Sequence, residues 1–279
     1  MKKLICLVAI LKEEEPFLDE WILYHKMIGI DHFYLYDDDP SFPLSQFLKP
    51  HSDYVTVINW HDQDKLMEGR MNQTKAYTHS VDNFAKNYKW VTFIDADEFI
   101  VLRQHENIKD FLSGFEDYNA VSLNWHVFGH NGHYDDPQGL ITSSLTRRMF
   151  LPSENIKTIS RSEAIVKIDT PHFCRLKPDS RVDANKHRIN TILYPGRTDV
   201  AHINHYQCRS FKNWMGRVKR GDVNFNSGNC PKEHSWRLMK EKCLKHFVRT
   251  VALNKNEYVD EYMVKYKTLL EEAIKKINR

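Results

Sequence analysis

The 279-residue chain is 28% charged and 41% hydrophobic, the balance of an ordinary soluble globular protein, which excludes disordered and membrane-spanning classes. Its formal charge of +3 hides an asymmetry: residues 1–100 hold 10 Lys and Arg against 17 Asp and Glu, whereas residues 206–249 hold 11 against 3. An acidic early part facing a basic late one suits a site where a cation and an anionic ligand meet, and no nucleic-acid partner is expected.

Met1–Leu11 imitates a signal peptide, but the apolar run stops at Lys12-Glu-Glu-Glu15 without a small-residue cleavage site, so it reads as a first buried strand. Pro16 and Gly29 bracket an amphipathic helix with Phe17, Leu18, Trp21, Ile22, His25 and Ile28 on one stripe. Ile30–Tyr36 alternates as a strand and breaks at Asp37-Asp-Asp-Pro40, which completes a βαβ unit. A short helix at Pro43–Leu48, a strand at Tyr54–Trp60, a helix over Arg70–Asn87 and a strand at Trp90–Ile94 continue the alternation. This predicts an α/β fold with a mostly parallel sheet, whose ligands bind outside the carboxyl ends of the strands. Lys12-Glu14, Asp37-Asp38, His61-Asp62 and Asp95-Asp97 all fall at those ends.

Asp95 and Asp97 follow the strongest apolar run. Alternate residues of an extended backbone share a face about 6.5–7 Å apart, and two carboxylates so placed suit a hard cation, Mn²⁺ or Mg²⁺, that also takes phosphate oxygens. A bare Asp-x-Asp also arises as a solvated strand end; the rest of the chain decides between the two.

Past residue 100 the pattern gives a helix at Ile108–Ser113, a strand at Ala120–Trp125, short β-like runs at Ala164–Ile168 and Thr191–Tyr194, and a strand at Val200–His205. Helices are expected over Ser210–Arg220, Ser235–Thr250 and Asn256–Ile277. Five cysteines at irregular spacing (Cys6, Cys174, Cys208, Cys230 and Cys243) contain no Cys-x-x-Cys. They point to a reducing compartment rather than to disulfides or zinc.

Four groups of residues together resemble the family 92 glycosyltransferases and their bacterial family-2-like relatives. They are Lys12-Glu-Glu14 with Leu18-Asp-Glu-Trp21, Tyr24-His25 and Gly29–Asp38; Trp90 with Phe93-Ile-Asp-Ala-Asp-Glu-Phe99; Trp125-His-Val-Phe-Gly-His-Asn-Gly-His133; and Ile203-Asn-His-Tyr206 with Ser210, Arg217 and Arg220-Gly221. The family's usual Lys-Asn-Glu stands here as Lys12-Glu13-Glu14. The resemblance implies a GT-A fold over residues 1–230, with a nucleotide-binding half to about 102, an acceptor half after it, and a helical extension at 231–279 packed on the same domain. It implies a nucleotide-sugar donor, a UDP-sugar first, and a glycan or lipid-linked glycan acceptor in surface polysaccharide or lipopolysaccharide synthesis.

By the same resemblance Asp97 and His205 would bind the metal, with Asp95 touching metal or ribose and Glu98 structural. Lys12, Glu14, Asp37, Asp38, Arg70 and Gln73 would hold the nucleoside. Arg217 and Arg220, with Arg209 and Lys219 close by, would meet the diphosphate, for which guanidinium forks are suited. Trp125, Phe128 and His133 would face the acceptor. Inversion needs a general base, for which Asp136, Asp183 and Glu163 stand as candidates. A cytoplasmic enzyme is expected, with peripheral membrane contact through the basic C-terminal helices or simple packing of those helices as alternatives. A metal-dependent phosphohydrolase or nucleotidyltransferase, and a non-catalytic glycan-binding module, are the competing classes.

Overall fold

A computed structural model describes residues 3–61, 72–220 and 255–277, with residues 217–220 by backbone alone. Arg70, Asp62 and the expected helix Ser235–Thr250 lie outside the described residues. The first apolar run forms β1 (Lys3–Leu11), and α1 (Glu15–Met27) follows with Pro16 in its first turn. Phe17, Leu18, Trp21, Ile22 and Tyr24 turn inward, and the helix ends where Gly29 takes φ +102°, a left-handed angle that costs glycine little.

Then come β2 (His32–Asp37), α2 (Leu44–Phe47), β3 (Val55–Asn59), α3 (Asn72–Asn83) and β4 (Tyr88–Phe93). These strands pair parallel in the order β3-β2-β1-β4, with Leu7 beside Phe33 and Thr92. Parallel pairing aligns their carboxyl ends on one edge. Backbone bonds stitch that edge: Asp38 N–H donates to Leu11 O, Trp60 N–H to Asp37 O, and Ile94 N–H to Val8 O.

The second half is mixed. It comprises β5 (Glu98–Leu102), α4 (Ile108–Ser113), β6 (Ala120–Val127), α5 (Ile141–Ser144), β7 (Arg147–Arg148), β8 (Ile156–Arg161), β9 (Ile165–Thr170), β10 (Phe173–Leu176), β11 (Arg181–Asp183), β12 (Ala201–His205), α6 (Phe211–Arg220), β13 (Tyr258–Val259) and α7 (Lys267–Lys275). The main sheet continues β4-β8-β6-β12-β5. β8 runs antiparallel to both neighbours, while β11 and β12 pair parallel with successive halves of β6. The α/β architecture with a parallel first half is the one expected.

Two expectations fail locally. Thr191–Tyr194 is not a strand: Ile192 and Leu193 are exposed, and a single bridge joins Leu193 to Asn155. The helix expected over Asn256–Ile277 begins only at Tyr262, as a 3-10 turn to Tyr266 that becomes α-helical at Lys267, because Tyr258–Val259 pairs with β7 and Asp260 is drawn inward. Arg103 Nη2 and Arg148 Nε donate to Asp260 Oδ2 at 2.7 and 2.9 Å.

Asp260→Asn is therefore expected to cost about 3 kcal/mol, the scale for removing one partner of a buried ion pair, read as a lower urea midpoint at unchanged slope. Burial pushes the Asp260 carboxyl up, but the His126 ring, Arg148 and Arg103 outweigh it and hold it below the usual carboxylate range. A depressed folded-state pKa stabilises above the unfolded value and loses that contribution as pH falls through the folded one. The variant should accordingly lose part of the wild type's acid destabilisation.

Candidate active site

After β4 the chain does not remain extended. Glu98 N–H donates to Asp95 O at 3.0 Å, closing a tight turn into β5, which pairs antiparallel with β12. The turn separates the two aspartates that strand alternation would have placed together.

Asp95 turns into a polar network. Its Oδ1 accepts from Gln73 Nε2 at 2.6 Å and its Oδ2 from Lys157 Nζ at 3.0 Å. Glu98 accepts from Asp95 N–H at 2.8 Å and lies 3.3 Å from the same ammonium. Lys157 and Glu98 are 1% and 0% exposed. Burial pushes the Glu98 carboxyl well above its usual range, with Asp95 and Asp97 adding to the push and Lys157 opposing it. Burial pulls Lys157 down, but Asp95 and Glu98 reverse this and raise it, so the ammonium stays charged.

Asp97, 4% exposed, faces the other way. Its Oδ1 lies 3.5 Å from His205 Nε2, and its carbonyl accepts from Tyr206 N–H at 2.8 Å. β12 places His205 beside Glu98 of β5 and Val127 of β6, so sheet register rather than loop geometry brings the pair together. His205 Nδ1 is buried with no hydrogen-bond partner among the described residues. The Trp125 ring packs 4.4 Å from that imidazole, and His172 packs 5.2 Å from Trp125 on the β9–β10 turn. Burial, then Lys157, holds His172 down at about 4. It is neutral at pH 7, and Nδ1 donating to Ile156 O at 3.1 Å leaves the lone pair on Nε2.

Among the described residues no group of three or more His, Cys, Asp or Glu side chains is arranged to hold a metal. Asp97 and His205 nonetheless fit a cation completed by substrate: a carboxylate oxygen and an imidazole nitrogen lie side by side at the strand-end edge, and diphosphate oxygens would fill the remaining positions. Asp95 is committed to Gln73 and Lys157.

The other expected residues divide. Glu14 follows β1 and meets Arg209 Nη2 at 2.5 Å. Arg209 precedes α6 in a left-handed conformation (φ 47°), buried with its guanidinium 4.0 Å from the Phe17 ring centre, so it serves Glu14 and does not extend the basic helix face. Lys12 is half-buried; Asp37 and Asp38 are buried at the end of β2, where burial raises Asp37. Arg217 and Arg220 belong to α6, but their side chains are not described.

The loop after β6 docks on α6. His133 O accepts from Phe211 N–H, Lys212 pairs with Asp135, and Asn213 Nδ2 lies 3.4 Å from Asp136 Oδ2. Gly129 in this loop has no room for a Cβ, which would strike Asn256 and the Lys255 carbonyl. Phe128 departs from the acceptor role expected of it: it is 1% exposed and packs on Tyr206, turned into the core because its N–H is bound to His205 O. Asp183 is likewise removed from the reacting centre. It pairs with Ser122, about 16 Å along β6 from Val127, and accepts from Asn185 and His187 N–H and the Tyr194 hydroxyl, organising its own loop. Glu163 is exposed on the turn after β8, beyond the amino end of β4.

Lys157 and His172 were not legible as site residues. The only signal for Lys157 is a lysine inside the β-like run Ile156–Arg161, and its partners lie about sixty residues earlier.

Residues 2–247 match the family described as glycosyltransferase family 92. Curated relatives include the family 92 proteins Os08g0121900 of Oryza sativa subsp. japonica (26% identical; 62% of this chain, 30% of that one), RCOM_0530710 of Ricinus communis (27%; 65% and 33%) and At1g27200 of Arabidopsis thaliana (23%; 63% and 32%). The chain spans about a third of the length of these relatives. Solved structures resemble it distantly. HddC from Yersinia pseudotuberculosis is 12% identical, covering 74% of this chain and 93% of that one at a TM-score of 0.39. The mannosyltransferase PcManGT from Pyrobaculum calidifontis is 11% identical, covering 99% and 70% at 0.37. With 2–247 of its 279 residues matched, the chain belongs to glycosyltransferase family 92.

Proposed function

We propose that the chain is a metal-dependent glycosyltransferase of GT-A type that moves a sugar, with inversion, from a nucleotide diphosphate donor, a UDP-sugar first, to a glycan or lipid-linked glycan acceptor of a surface polysaccharide or lipopolysaccharide. The observation that carries it is the approach of Asp97 and His205 to 3.5 Å at the carboxyl edge of the parallel strands, in a chain of this family. A bound Mn²⁺ or Mg²⁺ would neutralise the departing diphosphate as a Lewis acid.

Asp97 and His205 would hold that cation. Asp95, pinned by Lys157 and Gln73, keeps its exposed edge for the ribose. Glu14, Asp37, Asp38 and Lys12 line the nucleoside end, and Arg217 and Arg220 the phosphate end. Trp125, beside His205, offers a ring for the acceptor to stack on. Asp136, docked against α6 through Asn213, is the base candidate retained. Residues 1–230 form the catalytic domain and 231–279 an extension packed on it, as Tyr266 on Tyr24 and the Tyr262 hydroxyl on Leu102 O support for its described part.

No helix of the described residues is long and apolar enough to cross a membrane. The basic tail after about residue 230 supplies peripheral contact where the acceptor is lipid-linked. The test is UDP binding and UDP-sugar hydrolysis with Mn²⁺ against EDTA. Metal-dependent binding and slow sugar release are expected; phosphate release from phosphosugars without sugar transfer would point to a phosphohydrolase instead.

A further inference from the structure

Strand alternation sends His126 to the face opposite Trp125, and His202, three residues before His205, to that same far face. Their rings pack 4.1 Å apart. Around His126 a cavity of about 400 Å³ is lined by Arg103, Arg148, Pro152, Arg197, Thr198 and Asp199 among others. It lies across the sheet from Asp97 and His205 and shares no residue with the donor site.

The charges in this cavity do not balance. Arg103 and Arg148 converge on a single carboxylate oxygen, Asp260 Oδ2. Arg197 meets Asp199 through Nε and Nη2 at 3.1 and 3.0 Å on the open rim. Three guanidiniums thus face two carboxylates, and His126, pulled below its usual pKa chiefly by burial, adds no charge at pH 7. Arg148 is 7% exposed and its Nη1 also donates to the Met149 and Phe150 carbonyls, so the surplus positive charge rests on Arg103 and Arg197, 26% and 66% exposed, on the open side of the cavity where an anion can reach it.

A second observation points the same way. His126 donates to or accepts from Thr198 Oγ1 through Nε2 at 2.9 Å, while its buried Nδ1 faces Asp260 Oδ2 at 3.8 Å, beyond hydrogen-bond length, with no closer partner among the described residues. Guanidinium forks match the paired oxygens of a phosphoryl group. The volume exceeds what phosphate alone needs and lies in the range of small-molecule sites.

We propose that the Arg103–Arg148–Arg197 cavity is a second ligand site that takes a phosphate ester carrying a polar group of about sugar size. Arg103 and Arg148 hold the phosphoryl oxygens while keeping Asp260, and Arg197, 66% exposed and paired with Asp199, turns from its aspartate onto the ligand. This site does not depend on the donor-site assignment.

The full chain in EDTA, which disarms a metal-dependent donor site, would be titrated calorimetrically with glucose 6-phosphate and with inorganic phosphate. In parallel it would be floated with phosphatidylcholine vesicles with and without phosphatidylglycerol. Saturable binding of glucose 6-phosphate that weakens at least tenfold in Arg197→Ala, while UDP binding with Mn²⁺ stays at the wild-type level, is the expected result and assigns a soluble ligand. Flotation with the anionic vesicles alone, lost in the same variant, assigns a phospholipid headgroup. Arg103→Gln is the second variant and should weaken either mode without unfolding the chain, since Arg148 retains Asp260. Binding of equal strength in both variants and wild type, or no binding of any probe, overturns the proposal.

Discussion

Lys157→Met is expected to lower stability by about 3–5 kcal/mol, the scale for leaving a buried charge without its partner. Methionine keeps the length and apolar stem of lysine, so the packing between β4 and β6 changes little. What is lost is the ammonium 3.0 Å from Asp95 and 3.3 Å from Glu98. Glu98 has no water to turn to. With the cation gone, nothing opposes the burial that raises the Glu98 carboxyl in the folded state. A raised folded-state pKa favours the protonated folded form, so the damage is full at high pH and recedes as pH falls through that value. Urea denaturation at pH 5 and pH 8 should show the larger loss at pH 8. Adding Glu98→Gln should restore part of the stability, a coupling of about 1–3 kcal/mol. A single-variant loss under about 1 kcal/mol, or strict additivity, would show that the three groups do not act as one.

Asp97→Asn should reduce sugar transfer by about 100-fold or more, since Lewis-acid stabilisation of a leaving group supplies several kcal/mol and each 1.4 kcal/mol is about tenfold. Asparagine keeps the shape and the backbone bond to Tyr206 but removes the charge. His205→Ala should cost a similar factor, and the double variant little more, because in the proposed site the two residues would hold one ion. Asp95→Asn is expected to behave differently. Its carboxylate is engaged by Lys157 and Gln73, so Mn²⁺ affinity, read by electron paramagnetic resonance, should fall less than in Asp97→Asn. If Asp95→Asn weakens Mn²⁺ more than Asp97→Asn does, the roles of the two aspartates are reversed.

The parallel half was readable because each boundary has a local cause. Pro16 opens α1, Gly29 closes it with a positive φ, and Asp37-Asp-Asp-Pro40 ends β2. The late half was harder for reasons that are equally physical. Ile156–Arg161 places a lysine where a core residue belongs, and only Asp95 and Glu98 explain it. Thr191–Tyr194 has strand-like composition but finds one bridge and leaves Ile192 and Leu193 exposed.

The site divides in the same way. Asp97 and His205 could be singled out by the order of motifs around them. Asp95's partners could not, because a strand missed in the sequence supplies one of them. Trp125 and Phe128 are both aromatic and three residues apart. Only the register of β6 against β12 sends one ring to His205 and the other to Tyr206.

The late arrival of β8 has a consequence for how the chain is made. Glu98 leaves the ribosome about sixty residues before Lys157, which at 5–20 residues per second is roughly 3–12 s of synthesis. Until residue 161 emerges, β4 has no partner on its outer side, and an unpaired strand edge is a template for pairing with other chains. A piece cut after β5 would keep both the open edge and the uncompensated acids for good. The half that carries the acidic turn is therefore not a transplantable module, and the nascent chain carries an open strand edge until its middle strand has been translated.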